Sequence, residues 1–470
     1  MLGFATLMAN HRDLLETLQQ AIVVCDGAMG TTLQVMNLTA QDFGGRQGCN
    51  EALVLHRPDV IAAVHRGYLE VGCDMVETDT FGASRPKLEE YALGEETHRL
   101  NVEAARIARK ECDTFEQRDG RPRFVAGSLG PSGFLPSSSD PDLGRVRPSA
   151  LVEIFREQTL ALLEGGIDCV LAETAQDLLE LRAQIHGAKL AMQQGGRSVP
   201  IIAQITLDPS GRMLLGTDPL AAAAVISQAG ADIMGLNCST GPKEMVDPLR
   251  ALSEFASLPL SCQPNAGIPE NREGQAFYPL QPADLAEYLA RFVKEFRVGL
   301  VGGCCGTTPE HLKQVIAAVR GLRPARKAPP RVPVLASGLK QTALHQLPAP
   351  LIIGERVNSQ GSKKMKDLLL ANDYSGVLGI AREQVEGGAH ALDVCVALTE
   401  RSDENETMIK VVRLLSGQIE APLCIDTTEA DVVASALSGR RASPSSTRCT
   451  SSAGGSGSTR SSRCSSSTAR

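Results

Sequence analysis

The chain has 470 residues, 43% hydrophobic and 21% charged, which is more than one ordinary domain needs, so two or more folded units are expected. Its 47 basic and 54 acidic residues give a net charge of −7, with no basic footprint for nucleic acid, and no apolar run reaches the length of a membrane span. Thirteen cysteines with no secretory leader expected point to reduced thiols or metal ligands in a cytoplasmic protein, and the absence of tryptophan argues against an aromatic cage for a quaternary ammonium.

Eight short apolar runs follow one another along the first 300 residues, each ending in turn or polar residues. They are AIVVCDGAMG from Ala21, DMVETDTFG from Asp74, RFVAGSLGP from Arg123 and IDCVLAET from Ile167. PIIAQITLD from Pro200, ADIMGLNCS from Ala231, LPLSCQPNAG from Leu258 and VGLVGGCCG from Val298 complete the series. Segments of helical period, such as RPDVIAAVHRGYLEVG from Arg57, separate them. Eight strand-helix units over residues 10–325 predict an α/β fold, a closed (β/α)8 TIM barrel rather than an open sheet.

Near Arg323 the pattern breaks into a proline-rich, basic stretch, so residues 326–348 read as an extended linker. Three further strand-to-loop units, in PLIIGERVNSQGSKK, GGAHALDVCVAL and APLCIDTTEA, then open a second α/β domain over 349–440 that is not completed. Residues 441–470 are rich in serine and arginine and carry no acid. From Arg440 onward there are six arginines, leaving 41 basic against 54 acidic residues, a net of −13, on the preceding body. Such a tail cannot bury enough apolar surface to offset its ordering entropy and is expected to be disordered, through a frame shift or truncation, or else as a phosphorylatable Arg/Ser tail.

In a barrel of this kind chemistry sits where strands run out into the carboxyl-face loops. Those ends carry Asp26, Thr80, Glu173, Asp208, Asn237 with Cys238, Asn265, and Cys304 with Cys305. For Asp208 and Asn265 a role as plain loop caps stays open. Successive cysteines on a strand point apart, but at the glycine-flanked end GGCCGTTP the backbone can turn, and strands six and eight can face one point over the mouth. Cys238, Cys304 and Cys305 then supply three tetrahedral positions of a zinc site and leave the fourth open. Three thiolates make zinc a poor activator of water and a good holder of a further thiol, kept ionised without a general base. The alternative for the cysteine pair is two small core residues; Cys25, Cys73, Cys112, Cys169 and Cys262 are read that way.

The turn Asp26, Gly27, Ala28 and Met29 offers backbone N–H groups to a carboxylate, while Asp26 and Glu173 can offset an ammonium. Together these suit a zwitterionic amino acid with a thiol. Thr80 could line the pocket wall or simply cap its strand.

In order, GAMGTT, ETDTFGA, GLNCSTGP, PNAGIP and GGCCGTTP resemble the homocysteine-binding barrel of the zinc-dependent homocysteine S-methyltransferases. The resemblance implies zinc on Cys238, Cys304 and Cys305, homocysteine bound through its thiolate, and amino-acid contacts from the Asp26–Met29 loop and Glu173; Thr80 and Asn237 are expected as further substrate contacts. Asp79 stands where relatives often carry asparagine. The sequel IIGERVNSQGSKK, ALDVC and CIDTTEADV is similar to the opening of the pterin-binding folate barrel of the cobalamin-dependent methionine synthase family. That implies pterin contacts at Glu355, Asn358, Asp393 and Asp426. No Asp-x-His-x-x-Gly motif is present, so methylcobalamin would be held by a cobalamin-binding module outside this sequence, and methyltetrahydrofolate would be the remethylating donor. The expected function is methyl transfer to homocysteine giving methionine, without nucleic-acid or membrane partners. The alternatives are a stand-alone enzyme using S-methylmethionine or betaine, and a zinc- and homocysteine-binding module without turnover.

Overall fold

The computed structural model describes residues 13–272, 275–323, 329, 332–438 and 447–448. Eight parallel strands form its first sheet: β1 (Val23–Val24), β2 (Met75–Glu77), β3 (Phe124–Leu129), β4 (Cys169–Ala175), β5 (Ile201–Ile205), β6 (Ile233–Asn237), β7 (Leu260–Gln263) and β8 (Val298–Val301). They pair in the order β1-β8-β7-β6-β5-β4-β3-β2, and a parallel bridge between Cys25 and Met75 joins β1 to β2. The expected (β/α)8 barrel is what forms.

The strands read as nearly continuous aliphatic runs because helices cover the outside while side chains fill the inside. Five of the covering helices, Pro58–Val71, Pro148–Gly165, Pro219–Ala229, Pro282–Phe296 and Pro309–Val319, begin with proline. At that position its fixed φ suits a helix and its missing N–H is no loss. Helix Pro282–Phe296 shows why these helices dock: Leu285, Leu289, Phe292, Val293 and Phe296 share one buried stripe. Each such side chain contributes roughly 1.5–3 kcal/mol on burial.

The barrel interior has two kinds of layer. Val23, Met75, Phe124, Cys169, Leu171, Ile202, Ile233 and Leu300 make an apolar plug, sealed by Leu14 and Leu18 of the helix Leu14–Gln20. Farther along the strands, where the two-residue period returns the chain inward, the side chains become polar: Glu77, Ser128, Glu173, Gln204, Asn237 and Gln263. They bond to one another across the barrel, as the site geometry shows.

Within 326–348, expected as extended linker, residues Val334–Ala336 and Gln341–Ala343 form an antiparallel hairpin. Alternation in VLASGLKQTA with a Ser-Gly turn accounts for it. The turn docks on the barrel: Asp218 N–H donates to the Leu339 carbonyl at 2.9 Å and Thr217 Oγ1 to the Gly338 carbonyl at 2.6 Å. Ala336 joins the barrel's own core.

A second, separate core around Val357, Met365, Leu392, Val411 and Ile425 supports β9 (Ile353–Gly354), β10 (Ala391–Val394) and β11 (Leu423–Asp426). These three pair in parallel in chain order. Of the 441–470 segment only Thr447–Arg448 is described, and it pairs in parallel with Ile425–Asp426. The expectation of disorder for the remainder falls outside the described residues. Among the described residues no helix is long and apolar enough to cross a membrane.

Candidate metal and amino-acid site

Two loops carry the thiols. After β6, Cys238 and Ser239 both take left-handed backbone, φ 57° and 61°, which turns the chain across the barrel mouth. Non-glycine residues there carry strain that the surroundings must hold. Here Cys238 N–H donates to the Gln263 carbonyl at 3.1 Å, and Thr240 N–H returns to the Cys238 carbonyl at 2.7 Å. After β8, Gly303 N–H donates to the Asp26 carbonyl at 2.9 Å and Cys304 N–H to the Pro264 carbonyl at 2.9 Å. Gly303 is required there, since a Cβ would lie 2.3 Å from Thr307 Oγ1.

The turn and this loop are fastened together. The buried Tyr68 hydroxyl lies 3.1 Å from both the Ala28 and the Thr307 carbonyls. Thr307 Oγ1 accepts Ala28 N–H at 3.2 Å and donates to the Cys304 carbonyl at 2.7 Å, while Thr31 Oγ1 accepts Gly306 N–H at 3.1 Å.

The result is three sulfurs all within 4.8 Å of one another. Cys238 Sγ is 3.9 Å and Cys304 Sγ 4.0 Å from Cys305 Sγ. A tetrahedral ion with sulfur ligands at 2.3 Å has an S···S edge of about 3.8 Å, so the cluster fits zinc with little movement. Hydrogen bonds from Cys238 and Cys304, against opposing burial, and a further one from Tyr278 hold the Cys305 thiol well below the ordinary range. The same contacts with Cys238 and Cys305, with burial, push Cys304 well above it. In the adjoining loop Asn265 Oδ1 is buried without a hydrogen-bond partner among the described residues.

Next to the thiols lies a group of carboxylates. Asp26 and Glu173 are buried and Glu77 is half-buried. Asp26 Oδ2 accepts Glu77 N–H at 3.1 Å. Gln263 Nε2 donates to Glu77 Oε1 at 2.5 Å, and Gln204 Nε2 donates in turn to Gln263 Oε1 at 2.6 Å. Ser128 Oγ donates to Glu173 Oε1 at 2.6 Å. Burial, partly offset by its hydrogen bonds, lifts Asp26 to about 8. Glu77 is pushed well above its ordinary value by burial and then by Glu173 and Asp26, and burial also raises Glu173. Three carboxyls drawn together this way invite a cation.

Other sequence-predicted residues take different places. Thr80, expected on the pocket wall, is fully buried; its hydroxyl pairs with Thr78 Oγ1 at 2.6 Å and donates to the Ser128 carbonyl at 2.8 Å, bracing β2 against β3. Asn237, expected to touch substrate, uses its amide on Glu173 and Thr174 instead. Gly27 has no room for a side chain, with Thr307 Oγ1 2.4 Å from the Cβ position. Met29 is half-buried where helix Gly30–Gln34 begins. Asp208 is exposed and accepts Ser210 N–H at 2.8 Å, a loop cap. The five cysteines assigned to the core are all buried, although Cys25 Sγ also approaches Asp26 and Glu77.

In the second unit Asn358 Nδ2 donates to Asp393 Oδ2 at 2.8 Å and to Asp426 Oδ2 at 3.2 Å, so three of the four residues expected there meet. Glu355 is exposed and stands outside those bonds.

Glu77, Gln263, Gln204, Tyr68, Thr307 and Tyr278 were not foreseen. One signal existed for the first three: in MVE, IIAQI and LSCQ a polar residue sits at or near the end of an apolar run, two positions beyond an inward-facing one.

The homocysteine S-methyltransferase family matches residues 23–319, and the pterin binding enzyme family matches residues 354–442. The chain is 42% identical over 438 residues to the methionine synthase of Mycobacterium leprae (strain TN) and 41% over 425 residues to that of Mycobacterium tuberculosis (strain ATCC 25618 / H37Rv). Each alignment covers 90% of this chain and 35% of the relative, so the chain spans about a third of the length of these relatives. The metallated form of the homocysteine methyltransferase MmuM from Escherichia coli shares the fold at a TM-score of 0.53 and 24% identity, over 65% of this chain and 98% of that one. Its oxidised form also gives 0.53, at 23% identity and the same coverage. With a family match that takes in the whole barrel, from β1 to the helix after β8, the chain belongs to the homocysteine S-methyltransferase family.

Proposed function

We propose that the barrel, residues 10–325, binds homocysteine and readies its sulfur for methylation to methionine, as the thiol-activating part of a methionine synthase. The observation that carries this is the placement of three thiols at tetrahedral spacing beside a group of buried carboxyls, at the mouth of one barrel. Cys238, Cys304 and Cys305 would hold zinc, which supplies a Lewis acid that keeps a further thiol ionised at neutral pH.

The chain's own residues do the rest. Asp26, Glu77 and Glu173 receive the substrate's ammonium, whose charge offsets the crowding that now favours their protonated forms. The Asp26–Met29 turn lies beside them for the carboxylate. With both ends fixed, the sulfur is presented along one line toward the methyl carbon; the C–S bond forms as the donor leaves with the electron pair, and alignment supplies much of the acceleration.

The immediate donor we assign is methylcobalamin on a module outside this chain. Val35, Phe81, Leu143, Leu214, Ile268 and Phe277 are exposed apolar side chains in segments that follow barrel strands, available to such a partner. Asn358, Asp393 and Asp426, an amide between two carboxylates, suit the donor and acceptor edge of a pterin, so methyltetrahydrofolate is assigned to residues 349–440, with Glu355 a further proposed contact.

The test is zinc stoichiometry and the zinc X-ray absorption edge with and without homocysteine, in the full chain and in Cys304→Ala. One zinc per chain, a sulfur replacing a lighter ligand on addition of homocysteine, and loss of metal in the variant are expected. A folded chain that takes up no zinc would refute the proposal.

A further inference from the structure

One buried side chain joins the amino-acid turn to the thiol loop. Thr307 stands just past Cys304 and Cys305, and its N–H and its hydroxyl both return to the Cys304 carbonyl, at 3.1 and 2.7 Å. The same hydroxyl oxygen accepts Ala28 N–H at 3.2 Å. Gly27 and Gly303 flank it, one from each side: a Cβ on the first would fall 2.4 Å from Thr307 Oγ1, and on the second 2.3 Å. A side chain at either position would push the hydroxyl out of the gap, so the close approach of turn and loop depends on both glycines. A second hydroxyl spans the same gap. Tyr68, on the helix Pro58–Val71, lies 3.1 Å from the carbonyls of both Ala28 and Thr307. Thr307 and Tyr68 are both buried, where a hydrogen bond is stronger than in water and a lost one is costly.

We infer that Thr307 and Tyr68 are specificity-determining residues: their hydroxyls fix the distance between the turn that receives the amino-acid end of the substrate and the sulfurs that hold its thiol, and that distance selects the length of the chain between the two ends. The inference rests on the proposed function and deepens it. Each hydroxyl acts through the backbone of turn and loop rather than on the substrate itself. A ligand held at both ends by fixed groups fits one length. Cysteine offers the same amine, carboxylate and thiol as homocysteine but is one methylene shorter, so across a fixed span it engages one end at the expense of the other. In a well-formed site one methylene is worth about 10–200-fold. When the joint between turn and loop gives, the span adjusts and the shorter thiol gains relative to the longer.

The experiment measures homocysteine and cysteine binding by calorimetry to the zinc-loaded full chain, as parent, Thr307→Val, Thr307→Ser and Tyr68→Phe, with circular dichroism as the check on folding. The parent should prefer homocysteine by at least about tenfold. Thr307→Val keeps the shape of the side chain and loses the hydroxyl, and its preference should fall about fivefold. Tyr68→Phe should show the same fall, while Thr307→Ser, which keeps the hydroxyl, should hold the parent's ratio. If Thr307→Val does not fold, Tyr68→Phe decides alone. Hydroxyl-free variants that bind both thiols more weakly in equal proportion would show that these side chains only stabilise the loops, and would overturn the inference. A Thr307→Ser chain that loses the preference as Thr307→Val does, or a parent that binds the two thiols equally, would overturn it too. A parent that binds neither thiol overturns the proposed function itself.

Discussion

Asn237 grips Glu173 at one end and hands on to Cys238 at the other. Its Nδ2 donates to Glu173 Oε2 at 3.1 Å and to Thr174 Oγ1 at 2.8 Å, and its Oδ1 accepts Thr174 N–H at 2.8 Å. Thr174 has φ 55°, unfavourable for a β-branched residue, and these bonds hold it there. The carboxyl proposed for the ammonium and the sulfur proposed for the metal are thus tied through one side chain.

Asn237→Ala should therefore damage amino-acid binding more than metal binding. Leaving Glu173 and Thr174 short of partners costs about 1–3 kcal/mol per buried group. The expected result is homocysteine affinity lower by about tenfold, with one zinc retained per chain, measured by calorimetry and metal analysis. Equal loss of both would contradict this division.

His65 predicts the acid limit of stability. It is fully buried, and both ring nitrogens lack partners among the described residues. Burial lowers its pKa from 6.5 to about 4. As pH falls through 6.5 the unfolded chain takes up a proton that the folded chain refuses until about 4, so stability declines across that window, by about 3 kcal/mol. Urea unfolding from pH 7 to 4 should show this decline flattened in His65→Leu; parallel curves for the two proteins would rule His65 out.

Asp26 acts in the opposite direction. With its folded pKa lifted from 3.8 to about 8, its contribution is present at low pH and is lost as pH rises from 3.8 toward 8. Asp26→Asn removes that loss. At pH 8 the metal-free variant should be more stable than the parent, on the order of 2 kcal/mol, because no carboxylate need be buried. It should also bind homocysteine at least about tenfold more weakly, having lost a partner for the ammonium. A variant that is both less stable and binds normally would exclude the proposed role.

Asp79 separates a charge near the mouth from a charge at the thiols. Its Oδ2 is buried without a partner among the described residues, and burial followed by Glu51 pushes the carboxyl well above its ordinary value. Burial thus disfavours its charged form. Asp79→Asn should change homocysteine affinity by no more than about twofold and raise the melting temperature above pH 8. A large gain in affinity would show instead that a negative charge at Asp79 opposes substrate binding.

Much of this was legible in the chain. Runs of eight to ten residues announced all eight strands, since burial on both faces leaves an unbroken aliphatic signature. Cys304-Cys305 and Cys238 stood out because thiols at glycine-flanked strand ends are uncommon as packing residues. Tyr68 was hidden because its partner lies far away in sequence: it reaches Thr307 across 239 positions. Thr80 misled because a threonine at a strand end looks alike whether its hydroxyl faces a ligand or a neighbouring carbonyl. The hairpin at 334–343 was masked by surrounding prolines, although its alternation was present.

That hairpin changes where the chain can be shortened. A cut soon after Arg323 would remove the turn that occupies Thr217 and Asp218, just ahead of the helix Pro219–Ala229, and would uncover the apolar patch filled by Ala336. A cut near residue 345 would spare both. Seen as a strap, the segment belongs to the barrel it follows, and protease trimming of the full chain should stop beyond it.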